Sequence, residues 1–325
     1  MTAAEKAAAR LPSLFAGRRG PPAAPAVPDW ARQLFDDRAP SSGRAADHVP
    51  AGDSRDGLPA PRSFRLQVDG TVSRIDLPQV GGSFLDSGET GLAMHDAAVA
   101  QRLAPATDRH APGLRGLPER GAGGGGHRPL PPLPQLAGLI RGIQRRLPDT
   151  ETRYDPCFRM RLYPMLSERP LAGALRALNR RLRPLRRCLA EVPLAPAHNR
   201  LAPARLGTAA GGLRALGWQA ADRNDPVWDP AVLSEAGGLD DRAARRLLAR
   251  VLGRAPTPAE RARLTLYRAM APAIEAAEAD LRRGRGGQAG LELARRDAAW
   301  RRAQRRIAAP DFRTATGILG RGGRA

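Results

Sequence analysis

The hydrophobic period of this chain changes once along its length, and the change dictates two unlike halves. From Ser63 the apolar residues alternate: Phe64, Leu66 and Val68 are separated by Arg65 and Gln67. Asp69-Gly70 then supplies turn chemistry, and Val72 to Leu77 offers a second extended run, which together predict a hairpin. Beyond Pro134 the period becomes helical. Leu136, Leu139, Ile140, Ile143 and Leu147 form one stripe, and Leu171, Leu175, Leu178, Leu182 and Leu185 form a second, with Arg180, Arg181 and Arg183 turned away from it. Between the two regimes, Ala106 to Pro134 is rich in Gly and Pro and contains Gly123 to Gly126, so it reads as a loop or hinge. No Lys-Ser or Lys-Thr follows those glycines, which leaves a phosphate-cradling loop unsupported.

The helical part carries its own punctuation. Met94 to Leu103 reads as a short helix stopped by Pro105, and Leu239 to Leu252 as another stopped by Gly253. Thr257-Pro258-Ala259-Glu260 has the residues of a capping box, which predicts a long helix from that point, with a kink at Pro272. Residues 1–62 alternate Ala, Pro, Gly, Arg and Asp without a period and are expected to form a disordered arm, in which only Trp30 to Phe35 resembles a helical turn. From Leu281 to the end, 12 Arg stand against Glu292, Asp297 and Asp311, which predicts a loose basic tail with at most a short helix from Leu291 to Ile307.

Composition limits the function classes. The formal charge is +21, and Lys6 is the only lysine, so the excess is arginine and looks like a coding bias more than chosen chemistry. Nucleic-acid binding is one reading of the tail, but no recognition module or aromatic stacking platform accompanies the charge, and a solvated tail is preferred. Two cysteines, Cys157 and Cys188, exclude a disulfide scaffold, and neither sits in a zinc-binding cluster. No apolar run reaches the roughly 18 to 20 residues of a membrane helix, and the expected address is the cytoplasm.

Two segments carry the chemistry: His198-Asn199-Arg200-Leu201-Ala202-Pro203-Ala204-Arg205, and Leu216-Gly217-Trp218-Gln219 followed by Asn224-Asp225-Pro226-Val227-Trp228-Asp229. Taken singly, each is ordinary turn or core chemistry. As an ordered set they resemble the choline/ethanolamine kinase and aminoglycoside phosphotransferase family, whose catalytic loop reads H-N-D-L-x-P-x-N and whose metal loop reads I-D-W-E-Y-A before N-D-P-x-W-D. Fainter likeness lies in Ser63-Phe64-Arg65 with Asp69-Gly70, and in Tyr154-Asp155-Pro156; the resemblance spans roughly Ser63 to Gly284. It implies a protein-kinase-like α+β fold, with a small sheet-containing N-lobe and hinge over 63–133, a helical C-lobe over 134–284, disordered ends and a basic tail over 285–325.

The departures from the pattern matter as much. In kinase-like phosphoryl transfer a catalytic-loop Asp accepts the hydroxyl proton, a later Asn binds magnesium, and a second Asp holds the metal against the phosphates. Arg200, Arg205 and Gly217 stand at those three places. Arginine has no acceptor and cannot act as a base, and glycine has no side chain for a cation. His198 and Asn199 remain on the catalytic loop beside Arg200. The resemblance places substrate contacts at Trp218, Gln219 and Trp228, and structural loop roles at Asn224, Asp225 and Asp229. On the nucleotide side the usual strand base falls near Asp76, leaving Arg74 and the helix acid Asp96 as a substitute pair, with Arg205 a further phosphate contact.

These changes imply a pseudokinase. Loss of a general base costs about 10²- to 10⁴-fold, and loss of the metal removes several kcal/mol more of charge stabilisation. ATP is the expected nucleotide, held by Arg200 and Arg205 without magnesium, and no metal ligand is assigned. Three alternatives remain: an active kinase for choline, ethanolamine or an aminoglycoside using Asp222, Asp225 or Asp229; a basic nucleic-acid-binding protein; and a functionless product. A protein partner is the other ligand class open to a pseudokinase.

Overall fold

The computed structural model describes residues 63–68, 71–76, 88–105, 108–111, 114–118, 130–167, 169–209, 212–283 and 289–322; the arm expected over 1–62 lies outside them. The alternating segment forms β1 (Ser63–Val68) and β2 (Thr71–Asp76), paired antiparallel with Val68 opposite Thr71. Two further strands, β3 (Asp108–Ala111) and β4 (Leu114–Pro118), complete a sheet in the order β1-β2-β4-β3. They correct the reading of Ala106 to Pro134 as loop throughout. Asp108 to Ala111 has no apolar alternation, so its strand character comes from pairing with β4, which pairs in turn with β2.

Helix α1 (Gly88–Ala100) starts six residues before the expected Met94, because Gly88 and Gly91 disguise its first turn. Its Met94 and Ala98 are buried in one core with the full stripe of α2 (Leu133–Arg146) and with Leu201, Ala215 and Trp218. That shared core fixes α1 against the helical half.

A second core is built by α3 (Pro156–Leu166), α4 (Arg169–Leu182), α5 (Arg186–Ala190) and α6 (Trp228–Ala236). It includes the Leu171 to Leu185 stripe, every member of which is buried. Helix α7 (Asp241–Leu252) serves both cores, giving Ala244 and Leu248 to one and Leu247 and Val251 to the other. It ends at Gly253, whose φ of 71° is left-handed and suits glycine.

The capping box forms as the sequence predicts. Glu260 N donates to Thr257 Oγ1 at 3.2 Å, and Thr257 N donates to Glu260 Oε2 at 2.7 Å, opening α8 (Pro258–Arg283). The helix continues through Pro272 without a break in its assignment.

The C-terminal segment differs from the expected loose tail. It forms α9 (Ala289–Ala308) and α10 (Pro310–Gly322), both packed on α8, with Ala299, Ala303, Phe312, Ala315 and Leu319 buried in the second core. Small residues at Ala299 and Ala303, one turn apart, let α9 lie close to α8. Several of its arginines pair with acids on other helices: Arg296 meets Asp280 at 3.1 Å, Arg302 meets Glu275 at 2.6 Å, and Arg306 meets Glu235 at 2.7 Å and Asp241 at 2.9 Å. No helix among the described residues is long and apolar enough to cross a membrane.

Candidate functional site

Strand β5 (Ala195–Ala197) pairs antiparallel with β8 (Asp222–Asn224), with Ala197 opposite Asp222, which sets the loop after Ala197 beside the segment that leads from Trp218 into Asp222. A second hairpin, β6 (Leu206–Ala209) with β7 (Gly212–Ala215), carries the chain from Arg205 back to Gly217. The two polar segments singled out in the sequence therefore share one place.

The half of the site that keeps the expected motif residues is a hydrogen-bond knot. Asn199 adopts a left-handed φ of 67°, a conformation asparagine tolerates better than most residues. Its Nδ2 donates to Ala220 O at 2.9 Å and Asp222 O at 3.2 Å, its Oδ1 accepts from Asn224 Nδ2 at 2.9 Å, and its carbonyl accepts from Trp228 Nε1 at 3.0 Å. Asp229 accepts the backbone N–H groups of His198 at 2.7 Å and Asn199 at 2.8 Å. Burial pushes its carboxyl up to about 6, against the lowering effect of those two bonds.

The carboxylates considered as substitute base or metal ligands are engaged elsewhere. Asp222 Oδ1 accepts from Thr150 Oγ1 at 2.6 Å and from Arg223 N at 2.8 Å. Asp225 accepts from Tyr267 Oη at 2.8 Å and Val227 N at 2.9 Å, and meets Arg263 at 2.7 Å. Among the described residues no group of three His, Cys, Asp or Glu is placed to hold a metal ion.

His198 is fully buried. Its Nε2 lies 2.9 Å from Leu216 O and so carries the proton, its ring stands edge-on to Trp218 at 4.9 Å, and Nδ1 has no hydrogen-bond partner among the described residues. Burial first, and then the Arg205 charge, pull its pKa down to about 3. The imidazole stays neutral at physiological pH and serves as a strut.

Two residues assigned to substrate are core residues instead. Trp228 is 1% exposed between Tyr154 at 5.7 Å and Tyr267 at 5.2 Å, and Trp218 is 3% exposed with its Nε1 donating to Ala215 O at 3.0 Å. Neither offers an open ring face to a cationic substrate, since both indoles are enclosed where their N–H groups find backbone partners. Gln219 is exposed. Arg74 lies on β2 opposite Arg65 and Leu117 in register, and Asp96 lies on α1.

Arg200 and Arg205 both have partners inside the protein. Arg200 Nη2 donates to Glu278 Oε1 at 2.7 Å, and Tyr163 Oη donates to the same oxygen at 2.9 Å. Arg159 Nη1 stands 3.5 Å from that oxygen, and its guanidinium also covers the Tyr154 ring at 4.1 Å. Burial pulls the Glu278 carboxyl up, but Arg200, Arg159 and Arg282 overcome it and hold its pKa below the usual value. Arg200 is thus committed to an internal carboxylate, which corrects its expected role on phosphate. The signal for Glu278 was present in the sequence: Tyr267, Ala271, Ile274, Glu278 and Leu281 share one helical stripe, and a lone acid there requires a buried cation.

Arg205 is also buried, 6% exposed, and its Nη1 donates to Gly217 O at 2.6 Å. A Cβ built on Gly217 would lie 1.9 Å from that nitrogen. The volume in which a metal-holding carboxylate would begin is filled by a guanidinium, so the residues present do not fit magnesium. Helix α1 closes this side of the site, for a Cβ on Gly91 would lie 2.8 Å from Trp218 O and 2.9 Å from Gln219 O.

Neither a protein-family model nor a curated protein matches the chain. Solved structures do. A choline/ethanolamine kinase family protein from Mesorhizobium loti superposes with a TM-score of 0.66 at 16% identity, covering 91% of this chain and 96% of that one. The choline kinase LicA from Streptococcus pneumoniae gives 0.64 at 12% identity, covering 85% and 98%. The GDP and kanamycin complex of APH(2")-IIia gives 0.54 at 13% identity, covering 85% and 99%. The chain has the two-lobed, protein-kinase-like fold of the choline/ethanolamine kinases and aminoglycoside phosphotransferases.

Proposed function

We propose that this chain is a pseudokinase of the choline kinase and aminoglycoside phosphotransferase type, which binds a nucleotide and transfers no phosphate. One observation carries the reading: both replaced polar positions are built into the protein, Arg200 on Glu278 at 2.7 Å and Arg205 on Gly217 O at 2.6 Å. A residue that had merely lost its function would leave a gap or an unpaired charge; here the cations have partners. The carboxylates that an active enzyme would draw on are held by Thr150, Tyr267, Arg263 and backbone N–H groups. The fold supports a nucleotide as ligand, since LicA has been solved with AMP and APH(2")-IIia with GDP.

Among the described residues Trp218 and Trp228 are enclosed and offer no aromatic face to a choline ammonium. The test is a thermal-shift titration with ATP together with a radiolabel transfer assay on choline, ethanolamine and kanamycin. A ligand that binds only the folded state raises the unfolding temperature. A shift without transfer is the expected result. Transfer to any of the three acceptors that survives dialysis against a chelator and re-addition of magnesium would overturn the pseudokinase reading.

A further inference from the structure

We infer that the cleft between α2 and α7 binds a small polyanion, a phosphate ester or a carboxylate with two or more charges, through Arg141 and Arg250. The cleft lies outside the kinase-like site, and the inference does not rest on the nucleotide reading.

The cleft has a volume of about 410 Å³, within the roughly 300 to 1,000 Å³ of small-molecule sites. Its space follows from the residues of the two helices. They share one core through Leu136, Ile140, Leu247 and Val251. Beside that core the walls are small: Ala137 on α2, with Ala249 and Gly253 at the end of α7, fill little of the room between the helices. Three arginines complete the lining, Arg141 from α2, Arg250 from the last turn of α7 and Arg254 just beyond it. Among the described residues no aromatic side chain lines the cleft, so charge and hydrogen bonds, not stacking, must select what enters.

That charge is unbalanced. Arg254 is engaged by Glu260, with Nη1 donating to Oε2 at 2.8 Å and Nη2 to Oε1 at 2.6 Å. Arg141 and Arg250 meet no carboxylate among the described residues, and neither 130–148 nor 242–259 contains an acid. A helix C-terminus favours cations, which accounts for Arg250 and Arg254 on α7. It does not account for Arg141, which enters the same cleft from the interior of another helix. Arg141 is also half-buried, so water screens its charge less than that of an exposed arginine. Two guanidinium groups without a counter-charge call for a ligand with at least two negative charges, and their planar donor sets suit phosphate and carboxylate oxygens alike.

Helix α2 connects the cleft to the motif loops. Gln144, one turn beyond Arg141, donates from Nε2 to Pro226 O at 2.9 Å. An anion on Arg141 therefore sits on the helix that braces the loop before Asp229.

The test titrates the full chain with inorganic pyrophosphate and, separately, with citrate by calorimetry at constant ionic strength, which removes general screening as a variable. The parent is expected to bind at least one of the two at a single site in the millimolar range or tighter, and the tighter probe tells a phosphate ligand from a carboxylate. Arg141→Met and Arg250→Glu are each expected to weaken that binding at least about tenfold. Arg146→Met, at an exposed arginine of α2 that does not line the cleft, is expected to change it less than about twofold. Arg250 is exposed, so Arg250→Glu reads the cleft even if Arg141→Met disturbs the packing of α2. A parent that binds neither probe would overturn the inference. So would binding that survives Arg250→Glu unchanged, which would put the anion elsewhere on the chain, or an equal loss in Arg146→Met, which would make it a response to overall charge.

Discussion

Glu278→Gln removes one negative charge and almost no volume, and its cost follows from what the carboxylate holds. Arg200 is 14% exposed and Arg159 5% exposed at their side chains, and Glu278 itself is 12% exposed, so water does little to replace the lost partner. Breaking a buried ion pair from one side costs about 3 to 5 kcal/mol, because the remaining charge is left uncompensated. Here two guanidinium groups lose one acceptor. For a chain of this size each kcal/mol moves the unfolding midpoint by roughly 2 to 4 °C, so a drop on the order of 10 °C is expected by calorimetry.

The pH dependence gives a second reading of the same bond. A carboxyl whose folded pKa lies below its unfolded value of 4.5 adds stability above pH 4.5, and that stability is lost as pH falls through the folded value. The gap between parent and Glu278→Gln should therefore be full at pH 7 and narrow steadily below about pH 4.5. A midpoint within 2 °C of the parent at pH 7, on the order of experimental scatter, would show that Glu278 is not the counter-charge of the cluster. Arg200→Met offers a control. It leaves Glu278 with Arg159 and Tyr163, so it should cost less than Glu278→Gln.

Three further outcomes are expected. Gly91→Ala drives a methyl into the Trp218 and Gln219 carbonyls and should destabilise by about 1 to 3 kcal/mol, with a change in tryptophan emission on denaturant titration. Asp229→Asn removes a group whose folded pKa, about 6, exceeds the usual 3.8, so the loss of stability that the parent shows as pH rises through that window should vanish in the variant, as followed by chemical denaturation from pH 3.5 to 7. Thr257→Ala removes one arm of the capping box and should cost about 0.5 to 2 kcal/mol, with Thr257→Ser recovering most of it.

The sequence announced the helices that carry strong stripes and clear ends. Leu136 to Leu147 and Leu171 to Leu185 are buried as their spacing requires, and the Thr257 and Glu260 pair caps its helix as written. Weak local signals failed. Strands β3 and β4 depend on a ladder with β2 that no window of residues 106–118 contains. The arginines of the C-terminal helices hide their helical character, because the acids that pair with them, Glu235, Asp241, Glu275 and Asp280, stand on other helices.

Within the site, the order of the motifs located the right loops, while side-chain purpose was less legible. Trp218 and Trp228 looked like a cation-binding pair, yet whether an indole faces a cavity or a core is set by Tyr154, Tyr267 and His198 around it. Arg200 looked suited to phosphate because its actual acceptor, Glu278, lies 78 residues further on.

The contact between Arg205 and Gly217 also bears on how such a site changes over generations. A chain with arginine at one position and glycine at the other can take a side chain at 217 only if the Arg205 guanidinium moves, because a Cβ there would lie 1.9 Å from its nitrogen. Any change at 217 therefore also relocates the guanidinium and its bond to the Gly217 carbonyl, so the two positions vary together and not one at a time.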